Sequence, residues 1–154
     1  MCLNWLRKKI CNPDMPEPAG LSFIESFEIS SLLYAAFPDA QLYISDHQFK
    51  TTTKEELMRF LKYDMTDAYN YTSEFYDCDD FSYALMGTLS NPKWGCLPFG
   101  IMWTGTKFDS EGKATAAHAV NFFIDVNRKI WVIEPQTDHI FVIPKTWKPF
   151  LLFM

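Results

Sequence analysis

The sequence contains no long uninterrupted apolar run. Nothing in it approaches the ~20 residues a membrane-spanning helix needs, so a helical span is excluded. Its start, Met1 to Ile10, lacks the apolar run of about seven or more residues that follows a basic start in a secretory signal peptide. A cytosolic location is therefore the expectation, whether the compartment is bacterial, phage or host. Cysteine is scarce: four residues, at positions 2, 11, 78 and 96, with no C-x-x-C pair. That spacing argues against a zinc ribbon or a thioredoxin-like motif, and all four read as free thiols. Cations are outnumbered, 14 against 19 acidic residues, for a net charge of −5 and a pI near 5.1. A nucleic-acid partner is not expected, because phosphate binding wants a basic face. The one dense basic cluster is Arg7, Lys8 and Lys9. Internal repeats are absent.

What is present is enough apolar material for a core. The chain has 154 residues, 48% hydrophobic and 17% aromatic, which reads as one globular domain over 1–154. Residues 1–20 read as an appendage. Positions 3–10 give a short amphipathic helix with Leu3, Leu6 and Ile10 on one side, and the prolines at 13, 16 and 18 make an irregular linker that wraps the surface.

Along the rest of the chain the periodicity changes. Ser22 to Phe37 fits a strand or a helix equally well. Leu42 to Ser45 reads as a short strand. Thr53 with Glu56 forms a capping box ahead of Leu57, Phe60 and Leu61. A second helix starts near Cys78, N-capped by Asp77, carries Phe81, Leu85 and Leu89 at helical spacing, and stops at Asn91-Pro92. Strands follow: Leu97 to Thr104, Ala119 to Val126, a tight turn at Asn127-Arg128, Lys129 to Glu134, and Ile140 to Ile143. Helices first and antiparallel strands after is an α+β order.

The most informative run is Tyr76-Asp77-Cys78-Asp79-Asp80-Phe81-Ser82-Tyr83-Ala84-Leu85. It places a cysteine at a helix N-terminus, where free N–H groups and a partial positive charge favour a thiolate. His118 opens a strand and Glu134 ends the next, so the hairpin turn at Asn127-Arg128 brings them near one another. A thiol nucleophile, an imidazole base and a carboxylate that orients the ring are the parts of a thiol hydrolase. Asn121 is an alternative orienting group, but its spacing from His118 sends its side chain to the opposite face of the strand. Cys96, His47 and His139 read as bystanders. Gln41, Gln48 and Asn70 are candidates for an oxyanion-hole side chain. Trp94, Trp103 and Tyr76 are candidates to line a groove or to fill the core.

The Cys78-Asp79-Asp80-Phe81 run and the block from His118-Ala119-Val120-Asn121 to Trp131-Val132-Ile133-Glu134-Pro135 resemble the motifs of papain-like and transglutaminase-like cysteine proteinases. The glutamate, with Pro135-Gln136, is more similar to the papain-like domain of the fungal Marasmius agglutinin. The resemblance covers roughly residues 75–145. It implies a papain-like fold: N-terminal helices, with the nucleophile at a helix N-terminus, packed on an antiparallel sheet. It also implies a cysteine peptidase acting on protein or peptide, with Cys78 as nucleophile, His118 as base and Glu134 as orienting acid.

Asp77, Asp79 and Asp80 beside the thiol raise its pKa by like-charge repulsion. They cap the helix and point away, pair with basic side chains, or hold a hard cation through oxygen ligands. For that last case the set is Asp79, Asp80, Gln136 and Asp138, and the resemblance implies calcium. Two other readings stand beside the peptidase. One is a peptidoglycan amidase or endopeptidase of the NlpC type, which shares the Asp-Cys-x-x-Phe start. The other is a non-catalytic interaction protein on a papain-like scaffold.

Overall fold

The structure, a computed structural model, describes residues 15–154. The expected helix over 3–10, Cys2, Cys11 and the basic cluster lie outside the described residues. The ambiguous stretch after Gly20 resolves as both of its options. Strand β1 (Ser22–Glu25) runs straight into helix α1 (Ser26–Ala36), whose Ile29 and Leu33 are buried. Then come β2 (Gln41–Tyr43), β3 (Gln48–Thr51), α2 (Lys54–Leu61), a 3-10 turn at Thr66–Ala68, α3 (Cys78–Leu89), and strands β4 (Phe99–Phe108), β5 (Ala114–Ile124), β6 (Ile130–Glu134), β7 (His139–Phe141) and β8 (Lys148–Phe153).

Only the forward half of the expected capping box on α2 forms: Thr53 Oγ1 accepts the Glu56 N–H at 3.2 Å, while the Glu56 carboxylate turns to the Ala19 N–H at 2.8 Å and to Arg59. The strap at 15–20 lies along the body. Lys93 Nζ reaches the Met15 carbonyl at 2.9 Å, the Trp94 indole reaches that of Pro16 at 3.0 Å, and Arg59 that of Glu17 at 2.9 Å.

The papain-like α+β arrangement is not what the chain adopts. Strand outweighs helix, and the first described element is a strand. Six strands form one sheet in the order β2-β8-β4-β5-β6-β7, and β1 pairs with β3 separately. The sheet is mixed, since β2 and β8 run parallel while the other neighbours run antiparallel. The helices do not form a block on one side. Strand alternation gives the sheet two apolar faces. Met102, Val120, Phe122, Val132 and Leu152 pack with Ile29 and Leu33 of α1. Phe123 and Ile133 point the other way, onto Leu57, Phe60 and Leu61 of α2 and Leu85 and Leu89 of α3. With apolar positions on both faces, the sheet needs a helical cover on each.

The β5–β6 hairpin is set by one side chain. Asp125 Oδ1 accepts the N–H groups of Asn127 at 2.8 Å and Lys129 at 3.0 Å, and Oδ2 accepts the Trp131 indole N–H at 2.9 Å. Arg128 takes the left-handed conformation (φ 64°) that this turn requires. Asp125→Ala leaves three donors without their partner. The expected cost is about 2 kcal/mol in urea or thermal unfolding, with the m-value unchanged.

Candidate functional site

Cys78 is the first residue of α3. The helix begins there because Asp77 is extended and its N–H donates to Asp80 Oδ2 at 3.1 Å, the backward half of a capping box. Phe81, Ser82, Leu85 and Leu89 bury one face of the helix. Asn121 pins that face to the sheet: its Nδ2 donates to the carbonyls of Ser82 at 3.0 Å and Gly100 at 3.3 Å. The side chain does leave the strand on the side away from His118, as alternation requires.

The thiol is half-buried. Burial pushes its pKa up. The Ala119 N–H opposes that, and the nearby charges of Asp77 and Asp79 push it up again. Asp79 is itself raised, first by its hydrogen bond to Asp77 and then by burial, while that same bond holds Asp77 down. The acids beside the thiol thus oppose its ionisation, while the Ala119 N–H favours it.

His118 and Glu134 do come together. The β5–β6 ladder runs to Asn121↔Ile133. One step further places Glu134 opposite Val120, on the face that carries His118, as a diagonal neighbour. Nε2 of His118 stands 2.7 Å from Glu134 Oε2. The other carboxylate oxygen accepts the Gln136 N–H at 3.4 Å. Behind the imidazole, the Trp147 indole meets it edge-on at 5.9 Å, and Phe141 braces Trp147 at the same distance. Among the described residues no hydrogen bond joins the Cys78 thiol to His118; the thiol's contact on β5 is with the backbone of Ala119.

Trp147 is also a wall of a cavity of about 570 Å³. Phe37, Phe108 and Phe150 supply further aromatic surface, and Asp39, Lys145 and Lys148 supply charge. Lys148 lies over the Phe108 ring at 4.6 Å. Sequence reasoning missed this cavity. Its walls come from α1, β4 and the segment before β8, which no local pattern links.

The acids of the sequence-predicted metal set, Asp79, Asp80 and Asp138, do not form a group whose ligand-type atoms all lie within 4.8 Å of one another. Asp80 is engaged in the helix cap. Asp79 lies with Asp77 and Cys78 in the one described trio whose ligand-type atoms fall within 4.8 Å of one another. Asp138 stands in the β6–β7 turn under the influence of Asp67 and Asp64, and Gln136 meets Glu134 through its backbone. Of the remaining candidates, Trp94 is fully buried core, Tyr76 packs on Phe81 at 4.8 Å, and Trp103 faces Tyr83 at 6.0 Å. Gln48 bonds Glu25 at 2.5 Å, His139 stacks on Phe141 at 5.2 Å, and the Cys96 carbonyl accepts the Lys50 N–H at 2.9 Å. Gln41, His47 and Asn70 are exposed.

No family model and no curated protein matches the chain. Solved structures do. One is described as the PSL1a–E64 complex, at 22% identity and TM-score 0.70, over 86% of this chain and 51% of that one. Another is the Polyporus squamosus lectin bound to the human-type influenza-binding epitope Neu5Acα2-6Galβ1-4GlcNAc, with the same identity, TM-score and share of this chain, and 49% of its own length. The chain thus spans about half the length of these structures, and at this identity the likeness is one of fold.

The likeness corrects the sequence reading. The fold is shared with a lectin structure, and neither structure is described as a peptidase. The assignment to the papain-like and transglutaminase-like proteinases, with the agglutinin's papain-like domain as nearest relative, is overturned. The thiol-protease activity inferred from it, on a protein or peptide substrate, falls with it. Among the described residues, no helix is long and apolar enough to cross a membrane.

Proposed function

We propose that this chain is a non-catalytic binding module for a carbohydrate, seated in the cavity beside Trp147. The cavity carries the reading. Its volume of about 570 Å³ lies within the range of small-molecule sites, and it joins aromatic walls to a few charged groups. A pyranose presents a C–H face that packs on an aromatic ring and hydroxyls that bond to charged side chains. Lys145 and Lys148 outnumber Asp39 at the wall, which favours a sugar bearing a carboxylate. The lectin likeness supports the ligand class. In this reading His118 and Glu134 do no chemistry: their pair braces the Trp147 platform from behind, and Cys78 makes no bond to the ligand.

The test is titration with Neu5Acα2-6Galβ1-4GlcNAc and with its asialo disaccharide, followed by tryptophan fluorescence and calorimetry. Saturable binding of the sialylated form is expected, weakened about tenfold or more in Trp147→Ala and in Lys145→Glu/Lys148→Glu. Glu134→Gln is expected to weaken it only a few-fold. No binding of either sugar at millimolar concentration refutes the carbohydrate reading. A parallel arm treats the protein with E64 or iodoacetamide at pH 6 and locates the label by mass spectrometry. Rapid, selective modification of Cys78 that is lost in His118→Ala refutes the non-catalytic one.

A further inference from the structure

We propose that β1 and the outer face of α1 dock on an anionic lipid surface, with Leu21, Phe23, Phe27 and Tyr34 seated at the level of the headgroups. All four side chains are exposed, Phe23 at 60% and Phe27 at 71%. Strand alternation buries Ile24 and turns Phe23 outward, with Leu21 two residues before it. On α1, Phe27, Ser31 and Tyr34 stand at i, i+4 and i+7, away from the buried Ile29 and Leu33. Arg128 ties strand to helix: its guanidinium donates to the Phe23 carbonyl at 3.2 Å and to Glu28 Oε1 at 2.6 Å. The two apolar runs therefore adjoin.

The polar groups on this face are satisfied from within the chain. Ser31 Oγ donates to the Phe27 carbonyl at 2.8 Å, and Ser30 Oγ to that of Ser26 at 2.9 Å. Glu28 is held by Arg128, and Glu25 accepts from Gln48 Nε2 at 2.5 Å. A protein partner is recognised through about one hydrogen bond per 100–200 Å² of interface, and here those donors and acceptors are already used. What remains is apolar carbon and aromatic rings. Such a face suits a fluid interface, which matches no hydrogen bonds and takes up aromatic side chains.

The rim names the kind of lipid. The chain carries a net charge of −5, yet three lysines gather here. Lys50 is the cross-strand partner of Phe23, with its Nζ 6.0 Å from that ring. Lys54 and Lys129 share the Trp131 ring at 4.4 and 3.8 Å. Lys129 follows Arg128, and their turn bonds back to the end of β3 through the Val126 N–H and the Thr52 carbonyl at 3.0 Å. Among the described residues none of these lysines is in an ion pair, and the exposed acids beside them are Asp46 and Glu55. Ammonium groups on long stems reach anionic headgroups while the rings sit deeper. The Trp147 cavity takes Ala36 and Phe37 from the opposite end of α1, so lipid docking does not rest on the carbohydrate reading.

The experiment is co-flotation of the chain with sugar-free vesicles of phosphatidylcholine, with and without phosphatidylserine. Binding to the phosphatidylserine vesicles is expected. It should weaken about tenfold or more in Phe23→Ser/Phe27→Ser, and about threefold or more in Lys50→Glu/Lys129→Glu and at raised salt. These positions are at the surface, and circular dichroism checks that the variants fold. Phe75→Ser, at a ring 84% exposed in the loop before α3, should leave binding intact. No flotation with either vesicle overturns the proposal. So does a loss in Phe75→Ser equal to that in Phe23→Ser/Phe27→Ser. Binding lost in Lys145→Glu/Lys148→Glu but kept in Phe23→Ser/Phe27→Ser overturns it in favour of the cavity. Self-association without flotation, lost in Phe23→Ser/Phe27→Ser, overturns it in favour of a second copy of the chain.

Discussion

Gly100→Ala is expected to destabilise the chain by about 3 kcal/mol, lowering Tm by about 6–12 °C. A Cβ at Gly100 overlaps the Phe153 carbonyl oxygen outright and stands 2.7 Å from the Phe122 ring and 2.8 Å from Met154 Cβ. The first obstacle is backbone, which cannot rotate aside, so β8 has to shift away from β4. The control is Gly87→Ala in the middle of α3, where an added methyl meets nothing within 4 Å. There the glycine only adds disorder to the unfolded chain, and the change should stabilise by about 0.5–1 kcal/mol. Opposite signs for the same methyl at two glycines, read by urea unfolding, test the close β4–β8 approach. Equal, small effects at both positions refute it.

Asn121→Asp is expected to cost about 3–5 kcal/mol at neutral pH. Asn121 is fully buried, and its amide donates to two carbonyl oxygens, those of Ser82 and Gly100. An aspartate there sets a charged acceptor against two acceptors. Burial raises the folded pKa of the introduced acid, so the lost stability returns as pH falls and the carboxyl takes up a proton that can donate to one carbonyl. The sign is checked by unfolding at two pH values: the gap between variant and parent should narrow toward acid. A gap independent of pH means the side chain has turned out to solvent. Asn70→Asp, an exposed change, should be near neutral and serves as the control.

These variants also mark what could be read from the residues alone. The helix at Cys78 was legible because Asp77 and Asp80 form its cap and Phe81, Leu85 and Leu89 recur at its period. The hairpin that joins His118 to Glu134 was legible from Asn127-Arg128 between two apolar runs, and so was the outward turn of Asn121. Strand β8 was not, because Pro149 interrupts its alternation and its parallel partner β2 is more than a hundred residues away. The split of Ser22–Ala36 into strand and helix was equally hidden: Phe23 and Phe27 are exposed, so the apolar spacing there does not report burial.

At the site, types and order were visible but their electrostatics were not. Whether Cys78 ionises depends on burial and on Asp77 and Asp79, terms that exist only once the chain has folded. The cavity beside Trp147, which gathers segments from three regions of the sequence, was hidden for the same reason.

Strand β8 lies between β2 and β4, although it is the last strand in chain order. The segment after β2 and the end of β8 lock together, Ser45 N–H to the Met154 carbonyl and Met154 N–H to that of Tyr43, both at 2.9 Å. During synthesis, then, the early half must wait. Strand β2 has no neighbour to zip onto until residues 148–153 clear the ribosome, and the apolar groups of α1 have only a partial floor until Leu152 arrives. Such a long-range closure makes assembly slow and late, and it leaves the nascent chain dependent on whatever shields its unfinished edge.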